Sequence, residues 1–193
     1  MKRLVLIVSI ATLLSAALTV YTQQSARVSE KEIGNGVNVE ILEEEKNYSI
    51  QLNEQEWKSR LTASEYRILR EEGTERAYSG DLYDTKEEGT YYSRATGEPL
   101  FSSEHKYSSG TGWPSFWRPI EFDSVDYYFD RSLFGTRIEV TDAESGSHLG
   151  HVFEDGPEPT GLRYCLNSEA LIFVPEGQEP PEIVRDYLAQ HTE

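Results

Sequence analysis

The chain has 193 residues, a formal net charge of −16 and a single cysteine. Acidic residues outnumber basic ones 34 to 18 and no basic stripe interleaves with aromatics, which argues against nucleic acid as a partner. One cysteine excludes an intrachain disulfide and a cysteine-based zinc site.

Met1-Lys2-Arg3 precede an uncharged apolar run from Leu4 to Val20, and polar Tyr21-Thr22-Gln23-Gln24 follow. Residues 1–26 therefore read as a signal peptide or an N-terminal membrane anchor; the run is just long enough to cross hydrocarbon, and Ser15-Ala16-Ala17 would suit cleavage. Either reading exports the chain, to the periplasm or to the outer side of a membrane. What remains, about 165 residues, suits one domain, and nothing points to an assembly beyond a monomer. Residues 27–53 read as a polar, acidic linker, with Gly34-Asn35-Gly36 interrupting any pattern and Glu43-Glu44-Glu45 facing solvent.

Globular structure is expected to begin near Asn53, in a domain over 54–175. Thr62-Ala63-Ser64-Glu65 is a capping box that opens a helix. Tyr66 and Leu69 share its buried stripe with Ala63, Arg67 and Arg70 face water, and Gly73 supplies the left-handed residue that ends it. From Thr90 onward, 90–92, 125–129, 136–140, 151–153, 162–166 and 170–174 are short, β-branched and aromatic, and bounded by turn residues, which predicts strands. Residues 176–193 form a tail in which Pro180-Pro181 opens a short helix over 182–190, its pairs Ile183/Tyr187 and Val184/Leu188 able to dock on a sheet. The expected fold is mainly β, an antiparallel sheet core with short peripheral helices.

Alternation in a strand puts Arg163, Cys165 and Asn167 on one face and Tyr164 and Leu166 in the core. A guanidinium beside a thiol favours the nucleophilic thiolate, and an amide N–H can bind a substrate oxygen. His148 and His151 are two of four histidines. Gly146 and Gly150 oppose the helix that would let them share a metal, and a strand turns their rings to opposite faces, so acid–base work by at least one ring is favoured over metal binding. Asp155 is placed to orient a ring, to pair with Arg163, or simply to form a turn. Trp113, in the loop Gly110-Thr111-Gly112-Trp113-Pro114, is suited to walling an apolar pocket.

From about Glu54 to Val174 the chain resembles the methionine-R-sulfoxide reductase B family. The resemblance rests on ordered blocks: Thr74-Glu75-Arg76-Ala77, Gly112-Trp113-Pro114-Ser115-Phe116, His148-Leu149-Gly150-His151-Val152-Phe153, Asp155-Gly156-Pro157 and Arg163-Tyr164-Cys165-Leu166-Asn167-Ser168. It implies reduction of methionine-R-sulfoxide, in proteins or free, with Cys165 as nucleophile on sulfur. His148, His151 and Asn167 would hold and protonate the departing oxygen, Trp113 would cradle the substrate methyl group, and Asp155 and Arg163 would support them. The positions that hold a structural zinc in many members are here Ser93, Thr96, Asp142 and Ser145, so no zinc is expected. The resolving cysteine that often precedes the loop glycine is here Thr111, so an external dithiol such as a thioredoxin-like protein must reduce the sulfenic acid left on Cys165. Two other readings of these residues are a module that binds oxidised methionine without turnover and a one-cysteine peroxide reductase.

Overall fold

The computed structural model describes residues 28–132 and 135–191; the apolar N-terminal run, with its signal or anchor reading, lies outside them. Structure begins well before Asn53. β1 (Val28–Ile33) and β2 (Val37–Leu42) form an antiparallel hairpin, so the linker expected over 27–53 is largely a folded part of the domain. Its signal is present in the sequence: Val37, Val39 and Ile41 alternate with Asn38 and Glu40, and Gly34-Asn35-Gly36 is a hairpin turn. Ile33, Val39 and Ile41 join the main core, while Glu30 and Glu32 lie on the exposed edge strand, where charge discourages pairing with another chain.

Two capped helices follow. α1 (Glu54–Arg60) carries an Asn53/Glu56 capping box and buries Trp57, and α2 (Ala63–Arg70) carries the expected Thr62/Glu65 box. The buried face of α2 differs from expectation: Ile68 and Leu69 are buried and Ala63 is exposed. Arg70 turns inward, its guanidinium 5.0 Å from the Trp57 ring centroid and bonded to Ser145 O and Ser147 Oγ. The left-handed residue after this helix is Glu72, at φ 53°, and not Gly73.

The strands are β3 (Gly89–Ser93), β4 (Pro99–Ser102), β5 (Lys106–Tyr107), β6 (Ser115–Phe116), β7 (Val125–Ser132), β8 (Gly135–Asp142), β9 (His148–Phe153), β10 (Arg163–Leu166) and β11 (Leu171–Pro175). Among the described residues they make an eight-stranded sheet, ordered β1-β2-β7-β8-β9-β10-β6-β5, and a three-stranded one, β11-β3-β4. All pairings are antiparallel except β2 with β7. Phe101 from the small sheet meets Phe116 and Tyr164 from the large one, with centroids 4.7 and 5.6 Å away, and this aromatic contact joins the two layers. α3 (Glu182–His191) docks Val184, with Ile183 and Leu188, on Ile172 and Val174 of β11, as its apolar pairs predict.

Candidate active site

β10 carries the only thiol and lies between β9 and β6. Arg163 and Cys165 are half-buried while Tyr164 and Leu166 are fully buried, the alternation that a pleated strand imposes. Register places Cys165 directly opposite His151 on one side and Ser115 on the other, so all three side chains share a face. A cavity of about 120 Å³ opens over that face, bounded by Cys165, His151, Trp113, Asn167, Phe153, Arg137 and Thr74. It accommodates a small, mostly apolar group delivered to the sulfur.

A β-bulge decides where the histidines point. Thr141 pairs with His148 and Val140 with Gly150, so Leu149 is an extra residue on β9. The expectation that a strand separates the two rings therefore fails: the bulge cancels one step of alternation, and the centroids lie 5.4 Å apart. Gly150 is required beside the bulge because a Cβ there would sit 2.2 Å from the Cys165 carbonyl oxygen. His151 lines the cavity; His148 does not, and is buried behind it.

Each ring is held by an acid that the sequence reading did not single out. His151 Nε2 lies 2.9 Å from Asp130 Oδ2, and His148 Nδ1 lies 2.5 Å from Glu139 Oε1. A carboxylate only accepts, so each of these nitrogens carries the proton. Burial pushes the His151 pKa down, with Arg137 and His148 adding to this, and Asp130 only partly offsets it. The ring is therefore neutral near pH 7, and Nδ1 is its basic atom. His148 Nε2 is buried without a hydrogen-bond partner among the described residues.

Asp155 takes the second of its expected roles. Its two oxygens receive Arg163 Nε and a terminal nitrogen at 2.8 and 2.9 Å, and neither histidine is its partner. The guanidinium also stacks on Phe153, 4.3 Å from the centroid. Arg163 pulls Cys165 toward thiolate as expected, but burial dominates and leaves the thiol pKa raised above its ordinary value. Asn167 gives one amide hydrogen to Leu149 O and receives the Glu75 N–H on Oδ1, which leaves only its second Nδ2 hydrogen for a ligand. Trp113 Nε1 donates to Glu75 O at 3.3 Å, which fixes the indole against the cavity. Glu75 thus ties Trp113 to Asn167, a role hidden within the Thr74-Glu75-Arg76-Ala77 block.

A model of the SelR domain matches residues 61–175. The chain belongs to the methionine-R-sulfoxide reductase B family. It is 56% identical over 127 residues to the peptide methionine sulfoxide reductase MsrB of Methanosarcina mazei, covering 66% of this chain and 91% of that one. It is 50% identical over 130 residues to the MsrB of Leptospira interrogans, covering 67% and 99%. A 46% match over 137 residues to the MsrA/MsrB protein of Vibrio cholerae covers 71% of this chain and 36% of the longer relative.

The four positions that carry zinc cysteines in many family members meet in this fold, buried at the turns after β3 and β8. Asp142 is the hub. Its Oδ1 receives Glu144 N, Ser145 N and Ser145 Oγ at 3.0, 2.8 and 3.1 Å, and its Oδ2 receives Thr96 Oγ1 at 2.7 Å. Ser93 Oγ receives Ala95 N and Thr96 N. One carboxylate and three hydroxyl groups, already engaged with neighbouring donors and acceptors, do not fit the sulfur and nitrogen donor set of a structural zinc.

Proposed function

We propose that the chain reduces methionine-R-sulfoxide, free or in oxidised proteins, to methionine, with Cys165 as the nucleophile. The carrying observation is that the one thiol opens into a small cavity, directly opposite a neutral histidine and beside a fixed indole. His151 takes the thiol proton on Nδ1, and the thiolate attacks the sulfoxide sulfur while the proton passes to the oxygen. Asp130 holds the ring through Nε2, and the free Nδ2 hydrogen of Asn167 supports the departing oxygen. Trp113 packs on the methyl group. The R₂S=O group and Cys165–SH become R₂S and Cys165–S–OH, with oxygen moving from one sulfur to the other. Because the chain has one cysteine, an outside thiol then forms a mixed disulfide and releases water, and a second thiol frees the enzyme. A thioredoxin-like dithiol fits this role, acting outside the cytoplasm if residues 1–26 export the chain.

A single-turnover assay on separated R and S epimers tests the reading. One methionine per protein is expected from the R epimer without reductant, and none from Cys165→Ser. Equal conversion of both epimers, or methionine produced by Cys165→Ser, would overturn it. Faster consumption of hydrogen peroxide than of R-sulfoxide would favour a peroxide reductase, and binding without conversion a recognition module.

A further inference from the structure

Thr111 is more than a vacancy left by a resolving cysteine. Its Oγ1 lies 3.8 Å from Cys165 Sγ and heads a chain of hydroxyls: Thr111 to Ser109 Oγ at 2.8 Å, then Ser109 to Ser115 Oγ at 2.7 Å. Only one direction lets every contact in this chain be a hydrogen bond. Ser115 Oγ–H donates to Trp113 O, a carbonyl that can only accept. With that bond made, Ser109 donates to Ser115 and Thr111 to Ser109, since each hydroxyl has one hydrogen. Ser109 Oγ also receives the Thr111 N–H, which pins the chain to its own loop. In the arrangement that makes all of these bonds, Thr111 Oγ1 faces the sulfur as an acceptor, its own hydrogen given to Ser109.

We propose that Thr111, directed by Ser109 and Ser115, accepts a hydrogen bond from the Cys165 sulfenic acid and holds it in its neutral S–O–H form. The inference rests on the proposed turnover, which leaves this acid on the enzyme. Two fates compete for it. An external thiol attacks sulfur to give Cys165–S–S–R and water, a step that the neutral acid favours because its oxygen leaves with the proton. Hydrogen peroxide adds a second oxygen to give Cys165–SO₂H and water, a step that proceeds through the anion because its sulfur is then the nucleophile. An acceptor beside the S–O–H group opposes ionisation and so favours the first fate. A donor there would do the opposite. The hydroxyl chain lets an enzyme with no second cysteine wait for its reductant without irreversible damage.

The test compares the unmodified protein with Thr111→Val, which keeps the shape and removes the acceptor, and Thr111→Ser, which restores it. The sulfenic acid is formed in two ways, by one equivalent of R-sulfoxide and by one equivalent of hydrogen peroxide. Excess peroxide follows, and mass spectrometry reads the rate of sulfinic acid formation across a pH series. Thr111→Val should over-oxidise roughly tenfold faster near neutrality, the weight of about one hydrogen bond, and Thr111→Ser should behave as the parent. Equal rates in the parent and Thr111→Val, or slower over-oxidation in Thr111→Val, would overturn the proposal. If the sulfoxide arm yields no sulfenic acid while the peroxide arm does, the reductase reading fails and the peroxide arm still decides the role of Thr111.

Discussion

Replacing Glu98 with Gln should stabilise the protein at neutral pH. Glu98 is 6% exposed, lies in the turn between β3 and β4, and its Oε2 is buried without a partner among the described residues. Burial pushes its pKa up to about 9, helped by the neighbouring charges of Asp142, Glu144 and Asp126 and only partly opposed by Lys46. The folded chain therefore keeps a proton that the unfolded chain gives up near its ordinary value of 4.5. For a raised acid, stability is greatest below the unfolded pKa, falls as pH rises, and levels off above the folded pKa. Between pH 5 and 9 the loss should approach about 1.4 kcal/mol per pH unit, and at pH 7 its upper bound is about 3.4 kcal/mol. Glu98→Gln has no such proton to lose. Urea denaturation of both proteins at pH 5, 7 and 9 should show the variant gaining on the parent by up to about 2.6 kcal/mol between pH 5 and 7 and up to about 5 kcal/mol by pH 9. Asp126 and Asp142, also raised mainly by burial, slope the same way in both proteins, so the difference isolates Glu98. Stability curves that stay parallel from pH 5 to 9 would refute the reasoning.

Asp130→Asn should lower kcat/KM for R-sulfoxide by about tenfold to a hundredfold, because it removes the carboxylate that fixes the His151 tautomer. Asp130 raises the His151 pKa, so a pH–rate profile should show the acidic limb moving to lower pH in this variant. Ile41→Ala, within the segment expected to be a linker, should cost about 2–4 kcal/mol in denaturant titration, because Ile41 is fully buried on β2. A loss within error of zero would mean that the hairpin is not part of the cooperative fold.

The features legible in the sequence are those set by near neighbours. Thr62 and Glu65 are three residues apart and cap α2 by themselves, and Ile183, Val184 and Leu188 mark the docking face of α3 at the other end of the chain. The alternation of Arg163, Tyr164, Cys165 and Leu166 follows from the pleat of one strand, so the thiol and its charged neighbour could be placed on the same face unaided. The hairpin over 28–42 was legible too, but charged residues on an edge strand resemble a solvated arm.

Tertiary structure decided what depends on register between distant segments. The bulge that brings His148 and His151 to one face exists only because β8 pairs with β9 out of step; Gly150 within β9 permits it, but the register is set by the partner strand. Asp130 and Glu139, the acids that hold the rings, lie on β7 and β8, while Asp155, four residues after His151 in sequence, pairs with Arg163 instead. The balance on Cys165 was likewise hidden: a charge can be read from its letter, but the burial that outweighs Arg163 is a property of the packed sheet. Local sequence sets which way a side chain leaves its own strand. Which groups it then meets is set by hydrogen-bonded pairing across the fold.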